Sequence, residues 1–314
     1  FRSVEKRKMR ISIIGQSAFG KSVLEALAKN NVDEIVGVFA PPTREGRPDD
    51  PISESAHALN VPVFEFKRLR DEEAITQFKT VQPELCIMAF VTDIVPMEMI
   101  NYPILGTIQY HPSLLPLHRG PSSINWPIIN GESTTGLTIF WPDNGLDTGP
   151  VLMQKTVEIT TKETLGDLYF KKLFPLGVEA IIESVELVRS GKAPKIVQDE
   201  SMATYEGWCK ADDVQVKWEE NTSTVFNMIR GADPQPGANT TFNGTKLSLY
   251  DAAASSDNTA IPGTVVSIGE LGIQISTGDG AVNIGRVRES GSGKVTSSEW
   301  AESVGLAVGD LLGT

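Results

Sequence analysis

The chain has 314 residues, 40% apolar and 22% charged, with 28 Lys/Arg against 40 Asp/Glu for a net charge of −12. It is too long for a stapled mini-protein, too apolar for a disordered chain, and long enough for two domains. No run reaches the roughly 18 apolar residues of a membrane helix, and two cysteines, Cys86 and Cys209, make neither a disulfide framework nor a zinc site, which suits a reducing cytoplasm.

The first stretch, Phe1–Lys8, is the only markedly basic one, with Arg2, Lys6, Arg7 and Lys8 against Glu5. It lacks the apolar centre of a secretory signal and reads as a tag or disordered arm ahead of Met9. Strand-like runs follow at Arg10–Gly15, Glu34–Phe39, Val61–Phe64, Leu85–Phe90, Gly106–Tyr110 and Leu137–Trp141. Helical patterns lie between them near Phe19–Lys29, Ile52–Leu59 and Asp71–Lys79. Short apolar runs alternating with helices predict an α/β domain whose mostly parallel sheet is buried between helix layers. A longer helix is expected after Thr160, capped through Glu163 and ending near Gly191, with a kink or break at Pro175.

From about Ser201 the texture changes. Helical periodicity thins after Arg230 and turn signals recur, among them Asn243-Gly244 between Thr240–Phe242 and Thr245–Tyr250, a strong two-residue hairpin signal. Gly272–Thr277 and Ala281–Val287 alternate as half-buried strands. The pattern divides the chain into a catalytic domain over 9–204 and a small antiparallel barrel or sandwich over 205–314.

Ligands of doubly wound sheets bind beyond the strand C-termini. Four loops are expected there: Gln16–Phe19, Val91–Pro96, His111–Gly120 and Pro142–Pro150. In the first, Gly15–Ser22 matches G-x-x-x-x-G-K-[ST], which would give Lys21 and Ser22 to a nucleotide phosphate and magnesium. The loop has no internal glycine, however, and Ala18-Phe19 puts bulk where backbone should approach phosphate, so an ordinary strand-to-helix turn is expected. Asp147-Thr148-Gly149 matches the aspartic-protease tripeptide but has no second carboxylate to share a proton with. The third pattern is stronger. A strand delivers His111 into a loop bracketed by Pro112 and Pro116, and a second glycine-rich loop, Asp143–Gly149, carries Asp147. If the two strands are neighbours, the Asp147 carboxylate can raise the basicity of the His111 imidazole, and the Gln109 amide can donate to a developing oxyanion.

His111–Pro116 with Arg119-Gly120, followed by Gly145–Gly149, resembles the formyltetrahydrofolate-dependent formyltransferase and hydrolase family. Ile14–Ser17, Asn125-Trp126, Ala203–Gly207 and Ile229–Gly231 extend the similarity, which is greatest to the hydrolase-domain branch of the 10-formyltetrahydrofolate dehydrogenases and next to the methionyl-tRNA formyltransferases. The resemblance implies a Rossmann-like formyltransferase domain followed by an oligonucleotide-binding-like (OB-like) β-barrel. It implies 10-formyltetrahydrofolate as formyl donor without a metal, and casts His111 and Asp147 as the catalytic pair, with Gln109 standing where the family usually has asparagine or an apolar residue. Met88, Phe90 and Asp143, Asn144, Gly145 and Leu146 would line the pterin pocket, Tyr205 would border it, and Ser113 and Arg119 would support the loops.

Water, an aminosugar nucleotide and methionyl-tRNA are the candidate formyl acceptors. From Glu206 to Thr314 there are seven Lys/Arg against fourteen Asp/Glu, a net of −7 that disfavours tRNA, because nucleic-acid affinity comes largely from neutralising phosphates. Hydrolysis to tetrahydrofolate and formate is therefore the expected reaction. Transfer to an amine is the alternative, and a folate-binding module without turnover is a further one.

Overall fold

The computed structural model describes residues 8–255 and 260–313, so Phe1–Arg7 of the predicted arm lie outside the described residues. Strands and helices alternate as the apolar runs require: β1 (Arg10–Gly15), α1 (Ser17–Asn30), β2 (Glu34–Ala40), α2 (Pro51–Ala58), β3 (Val63–Glu65), α3 (Glu72–Thr80), β4 (Leu85–Ala89), α4 (Met97–Ile100), β5 (Thr107–His111), α5 (Asn125–Ile129), β6 (Thr134–Phe140) and β7 (Val151–Glu158). Then come α6 (Leu165–Leu168), α7 (Phe174–Arg189), α8 (Thr222–Gly231), β8 (Ala238–Phe242), β9 (Thr245–Ser255), β10 (Val265–Gly269), β11 (Gly272–Ser276), β12 (Ala281–Glu289), β13 (Val295–Thr296) and α9 (Ser297–Val304). The chain folds as two compact units. One comprises the chain up to Arg119 with Gly136–Thr156 and Leu173–Thr204; the other comprises Gly120–Thr135, Val157–Lys172 and the chain from Tyr205.

The first sheet has the order β3-β2-β1-β4-β5-β6-β7. Its strands are parallel from β3 to β5, and β6 runs antiparallel to β5. Every residue of β4 is buried, as are all but the first of β1, which explains why both read as unbroken apolar runs rather than alternating ones. In α1 the buried Phe19, Val23, Leu24 and Leu27 recur at helical spacing and face the sheet. Phe39 of β2 gathers the rings of Phe64, Phe66 and Phe78 at centroid distances of 5.0, 6.5 and 5.2 Å. Phe39 and Phe78 are essentially inaccessible, and each contributes about 1.5–3 kcal/mol through burial. The winding direction reverses between β1 and β4, which opens a crevice at their C-terminal ends.

The helix expected after Thr160 differs from its prediction. The Thr160 N–H donates to the Glu163 carboxylate at 2.8 Å, but the complete capping box forms one turn later, between Thr164 and Asp167. Pro175 has no N–H to continue a helix through, so the chain takes a π-helical turn over Tyr169–Leu173 and restarts as α7 with Pro175 in its first turn. The end of α7 is tied down by Arg189, whose Nη1 donates to Asp33 Oδ1 at 2.6 Å with both side chains largely buried.

The second unit carries an antiparallel sheet in the order β10-β11-β12-β9-β8, with β13 against β12. Asn243 and Gly244 take the left-handed φ values of 49° and 76° demanded by the predicted two-residue hairpin. Its core is built on Trp218, Val225, Ile229, Ile273, Ile284 and Trp300. In the same unit α5 packs against α8: Asn125 Nδ2 donates to the carbonyls of Gly231 and Gln235 at 2.9 and 3.0 Å, and a Cβ on Gly231 would lie 2.6 Å from Ile129.

Candidate active site

The phosphate-loop pattern folds as a packed turn. Asp50 Oδ1 accepts from the Ser17 N–H at 2.7 Å and from the Ile52 N–H at 3.0 Å, so a carboxylate of the chain itself takes the amide that opens α1. Gly15 is required by close approach of β1 to β4, since a Cβ there would lie 2.5 Å from the Ala89 carbonyl oxygen. Lys21 is well exposed and lies 3.9 Å from Glu25 on the same helix. A Cβ on Gly20 would lie 3.1 Å from Ile52 Cδ1, so packing accounts for both glycines, and the ion pair for the lysine, without a nucleotide.

His111 is the last residue of β5. Residues two apart on a strand face one side of a sheet, so Gln109 and His111 share a face, opposite Phe140 and Thr138 of β6. The His111 ring is buried, and its Nε2 lies 2.9 Å from the carbonyl oxygen of His118. A carbonyl only accepts, so Nε2 carries the hydrogen and the neutral ring keeps its lone pair on Nδ1. The loop that supplies this carbonyl is fixed at several points. Ser113 Oγ donates to the Leu117 carbonyl at 2.6 Å. Thr138 Oγ1 donates to the Ser113 carbonyl at 2.7 Å and accepts from the Leu115 N–H at 3.1 Å. Thr204 Oγ1 accepts from the His118 N–H at 2.7 Å, and the Thr204 carbonyl accepts from the Arg119 N–H at 3.0 Å.

The Pro142–Pro150 loop was expected beside the other three at the C-terminal rim. Because β6 is antiparallel, it leaves the sheet beyond Gln109, toward Gly106, whose Cβ position lies 2.8 Å from the Trp141 ring. It then folds back. Asp143 Oδ1 accepts from the Gly145 N–H at 3.0 Å and from the Thr148 hydroxyl at 2.6 Å. A Cβ on Gly149 would lie 1.8 Å from the Trp141 carbonyl oxygen, so glycine alone fits where the loop returns. Between these points Asp147 adopts a left-handed φ of 57°, and its buried carboxylate Oδ2 ends 3.7 Å from His111 Nδ1.

Arg119 is buried and makes a two-pronged pair with Glu200 at 2.9 and 2.7 Å, a bond that raises the guanidinium pKa and lowers that of Glu200. Its Nη2 also donates to Gln198 Oε1 at 2.9 Å. Neither Gln198 nor Glu200 was singled out by the sequence reading. They lie some fifty residues beyond the loop, in a stretch with no periodicity or motif to mark them.

The predicted pocket residues occupy different settings. Met88 is buried within the Ile14–Phe39–Phe78 core. Phe90 leaves β4 with a left-handed φ of 62°, and 45% of it is exposed. Asp143, Asn144, Gly145 and Leu146 are exposed, with Leu146 at 55%. Tyr205 lies on the second unit and is exposed. A cleft of about 100 Å³ opens at the C-terminal ends of β1, β2 and β4, lined among others by Gln16, Phe39, Phe66, Lys67, Phe90 and Thr92. Among the described residues, no group of three or more His, Cys, Asp or Glu could hold a metal, and no helix is long and apolar enough to cross a membrane.

The fold thus brings a buried imidazole and a buried carboxylate together where β5 of the doubly wound sheet ends. The profile of the formyl transferase domain matches residues 8–185, and that of the formyl transferase C-terminal domain matches residues 209–305. The chain belongs to the formyl transferase family. It is 39% identical over 262 residues to mitochondrial 10-formyltetrahydrofolate dehydrogenase of Homo sapiens, an alignment covering 82% of this chain and 28% of that protein. It is 32% identical over 311 residues to methionyl-tRNA formyltransferase of Pelotomaculum thermopropionicum, covering 97% of this chain and 99% of that one. The chain thus spans less than a third of the length of the dehydrogenases it matches. Its fold is shared with HypX from Aquifex aeolicus in complex with tetrahydrofolic acid, at a TM-score of 0.71 and 21% identity over 96% of this chain and 48% of that one. It is shared too with an N-formyltransferase from Helicobacter canadensis in complex with folinic acid and dTDP-3-aminofucose, at 0.65 and 19% over 88% and 98%.

Proposed function

We propose that the chain cleaves the N10-formyl group of 10-formyltetrahydrofolate, with water as acceptor and tetrahydrofolate and formate as products. The observation that carries this reading is the pair of buried groups, His111 Nδ1 and Asp147 Oδ2, 3.7 Å apart. Two acceptors at that separation are both within about 2.8 Å of a single water placed between them, so one water donates a hydrogen to each and keeps a lone pair for the formyl carbon. As the C–O bond forms, His111 Nδ1 takes the water proton, and the Asp147 carboxylate stabilises the resulting imidazolium. The Gln109 amide, on the same face of β5, donates to the oxyanion. Collapse of the tetrahedral intermediate breaks the C–N10 bond, the proton held on His111 passes to N10, and the second water proton leaves with the released formic acid, which ionises to formate in solution. Phe90 and Leu146 offer exposed apolar surface to the pterin.

The test is release of formate and tetrahydrofolate from 10-formyltetrahydrofolate. Turnover by the wild type that His111→Ala reduces at least a hundredfold supports the reading; equal rates overturn it. Binding without turnover by the wild type would make the chain a folate-binding module.

A second reading, transfer to an amine, is favoured by the cleft at Lys67. Lys67, Gln16 and Thr92, with Asp93 on the same wall, put one cation and several polar groups beside Phe90 for an acceptor larger than water. The net charge of −7 from Glu206 onward points away from tRNA, whereas a small amine acceptor needs only the local charge of one cleft. Offering water, aminosugar nucleotides and methionyl-tRNA in parallel while following the formyl group separates the two readings.

A further inference from the structure

We infer that Gln198 is a positioning residue for Asp147, an assignment that rests on the acid–base reading of the His111–Asp147 pair. Its side chain is buried, 6% exposed, and saturated by the site. Nε2 donates to the Asp147 carbonyl at 2.9 Å and to the Gly149 carbonyl at 2.7 Å. Oε1 accepts from Arg119 Nη2 at 2.9 Å, and Arg119 is locked to Glu200. One amide group therefore grips the backbone on both sides of Thr148.

That grip lies where it is needed. Asp147 holds a left-handed φ of 57°, a conformation that surrounding structure must impose on a residue with a side chain. From the other direction the loop is held through Asp143, through the Trp141 N–H, which donates to the Pro150 carbonyl at 2.9 Å, and through the close passage of Gly149 against Trp141. One Gln198 bond fixes the carbonyl of Asp147 itself and the other that of Gly149, and together they set the direction in which the carboxylate leaves the backbone toward His111. Only a primary amide does this. Its NH₂ serves two carbonyls while its oxygen serves the guanidinium; glutamate in its place would turn an oxygen toward those carbonyls, and methionine would leave all three partners unmet.

Gln198→Glu and Gln198→Met are compared with wild type and with His111→Ala, measuring kcat and KM for 10-formyltetrahydrofolate and hydrogen–deuterium exchange of residues 143–150. A displacement of the carboxylate by about an ångström costs about 10- to 100-fold in rate. The expected result is that loss in kcat with KM within about threefold, since the exposed pocket residues do not touch Gln198. Faster exchange confined to the loop is expected alongside it. A merely structural role would lower thermal stability and leave kcat of the folded fraction unchanged. If His111→Ala abolishes turnover while both Gln198 variants keep wild-type kcat and loop protection, the positioning role is wrong and the catalytic pair stands. If His111→Ala turns over as wild type does, the underlying reading fails instead, whatever the Gln198 variants do.

Discussion

Asp147→Asn isolates the carboxylate charge with little else disturbed. Asparagine is isosteric and among the residues that tolerate a left-handed φ, so the loop backbone and its bonds to Gln198 are retained. A carboxylate 3.7 Å from an imidazolium stabilises it by about 4 kcal/mol at an effective dielectric near 20, appropriate for a pair this enclosed. If most of that acts in the transition state, kcat falls about 10³-fold, within the range for losing an acid–base partner. KM should change by less than about threefold, because the carboxylate meets the reacting atoms rather than the pterin. Formate release under saturating 10-formyltetrahydrofolate, with folding checked by circular dichroism, measures this. A variant that keeps more than a tenth of wild-type kcat would show that the 3.7 Å pair does not carry the chemistry.

Three further outcomes follow from the rest of the fold. Arg189→Met leaves the buried Asp33 carboxylate without its counter-charge, with the Met9 N–H still donating to it at 3.0 Å, and should cost about 3 kcal/mol in urea unfolding; a loss below about 1 kcal/mol would mean that solvent reaches the pair. Burial pushes the Cys86 thiol up to about 12 and the Cys209 thiol up to about 11, so neither reacts with a maleimide in the native protein at pH 7.5 and both react in urea. Burial also raises the Asp233 carboxyl above 3.8. An acid whose folded pKa is raised contributes stability that is present below 3.8 and lost as pH rises through the raised value. Asp233→Asn should therefore gain on the wild type in melting temperature as pH climbs from 3.8 toward neutrality; a difference independent of pH would refute the assignment.

The features legible in the sequence were those written in local pattern. Unbroken apolar runs such as Leu85–Ala89 mark strands buried on both faces, Asn243-Gly244 marks its hairpin, and the prolines around His111 mark a rigid loop. The edge strand β7 leaves little mark because its second half alternates exposed Gln154, Thr156 and Glu158 with half-buried Lys155 and Val157, so polar letters dominate and it reads as a connector. The helix α9 buries little beyond Trp300 and Ala301, too few positions for a visible period. The antiparallel turn of β6 and the grip of Gln198 on its distant loop are tertiary facts, since neither the direction of a strand nor a bond across fifty residues leaves a mark on neighbouring letters.

The two units share the chain in an interleaved way: Gly120–Thr135 and Val157–Lys172 are threaded out from between stretches of the first unit into the unit that the last third completes. A gene cut after Thr204 would therefore not deliver two free-standing modules. The downstream fragment would lack Asn125, whose amide ties off the end of α8, and Gly166, whose N–H meets the Asp233 carbonyl at 3.0 Å. Exchange of this half between relatives must carry three separate stretches of sequence together, so a single recombination crossover leaves a hybrid with unmatched partners.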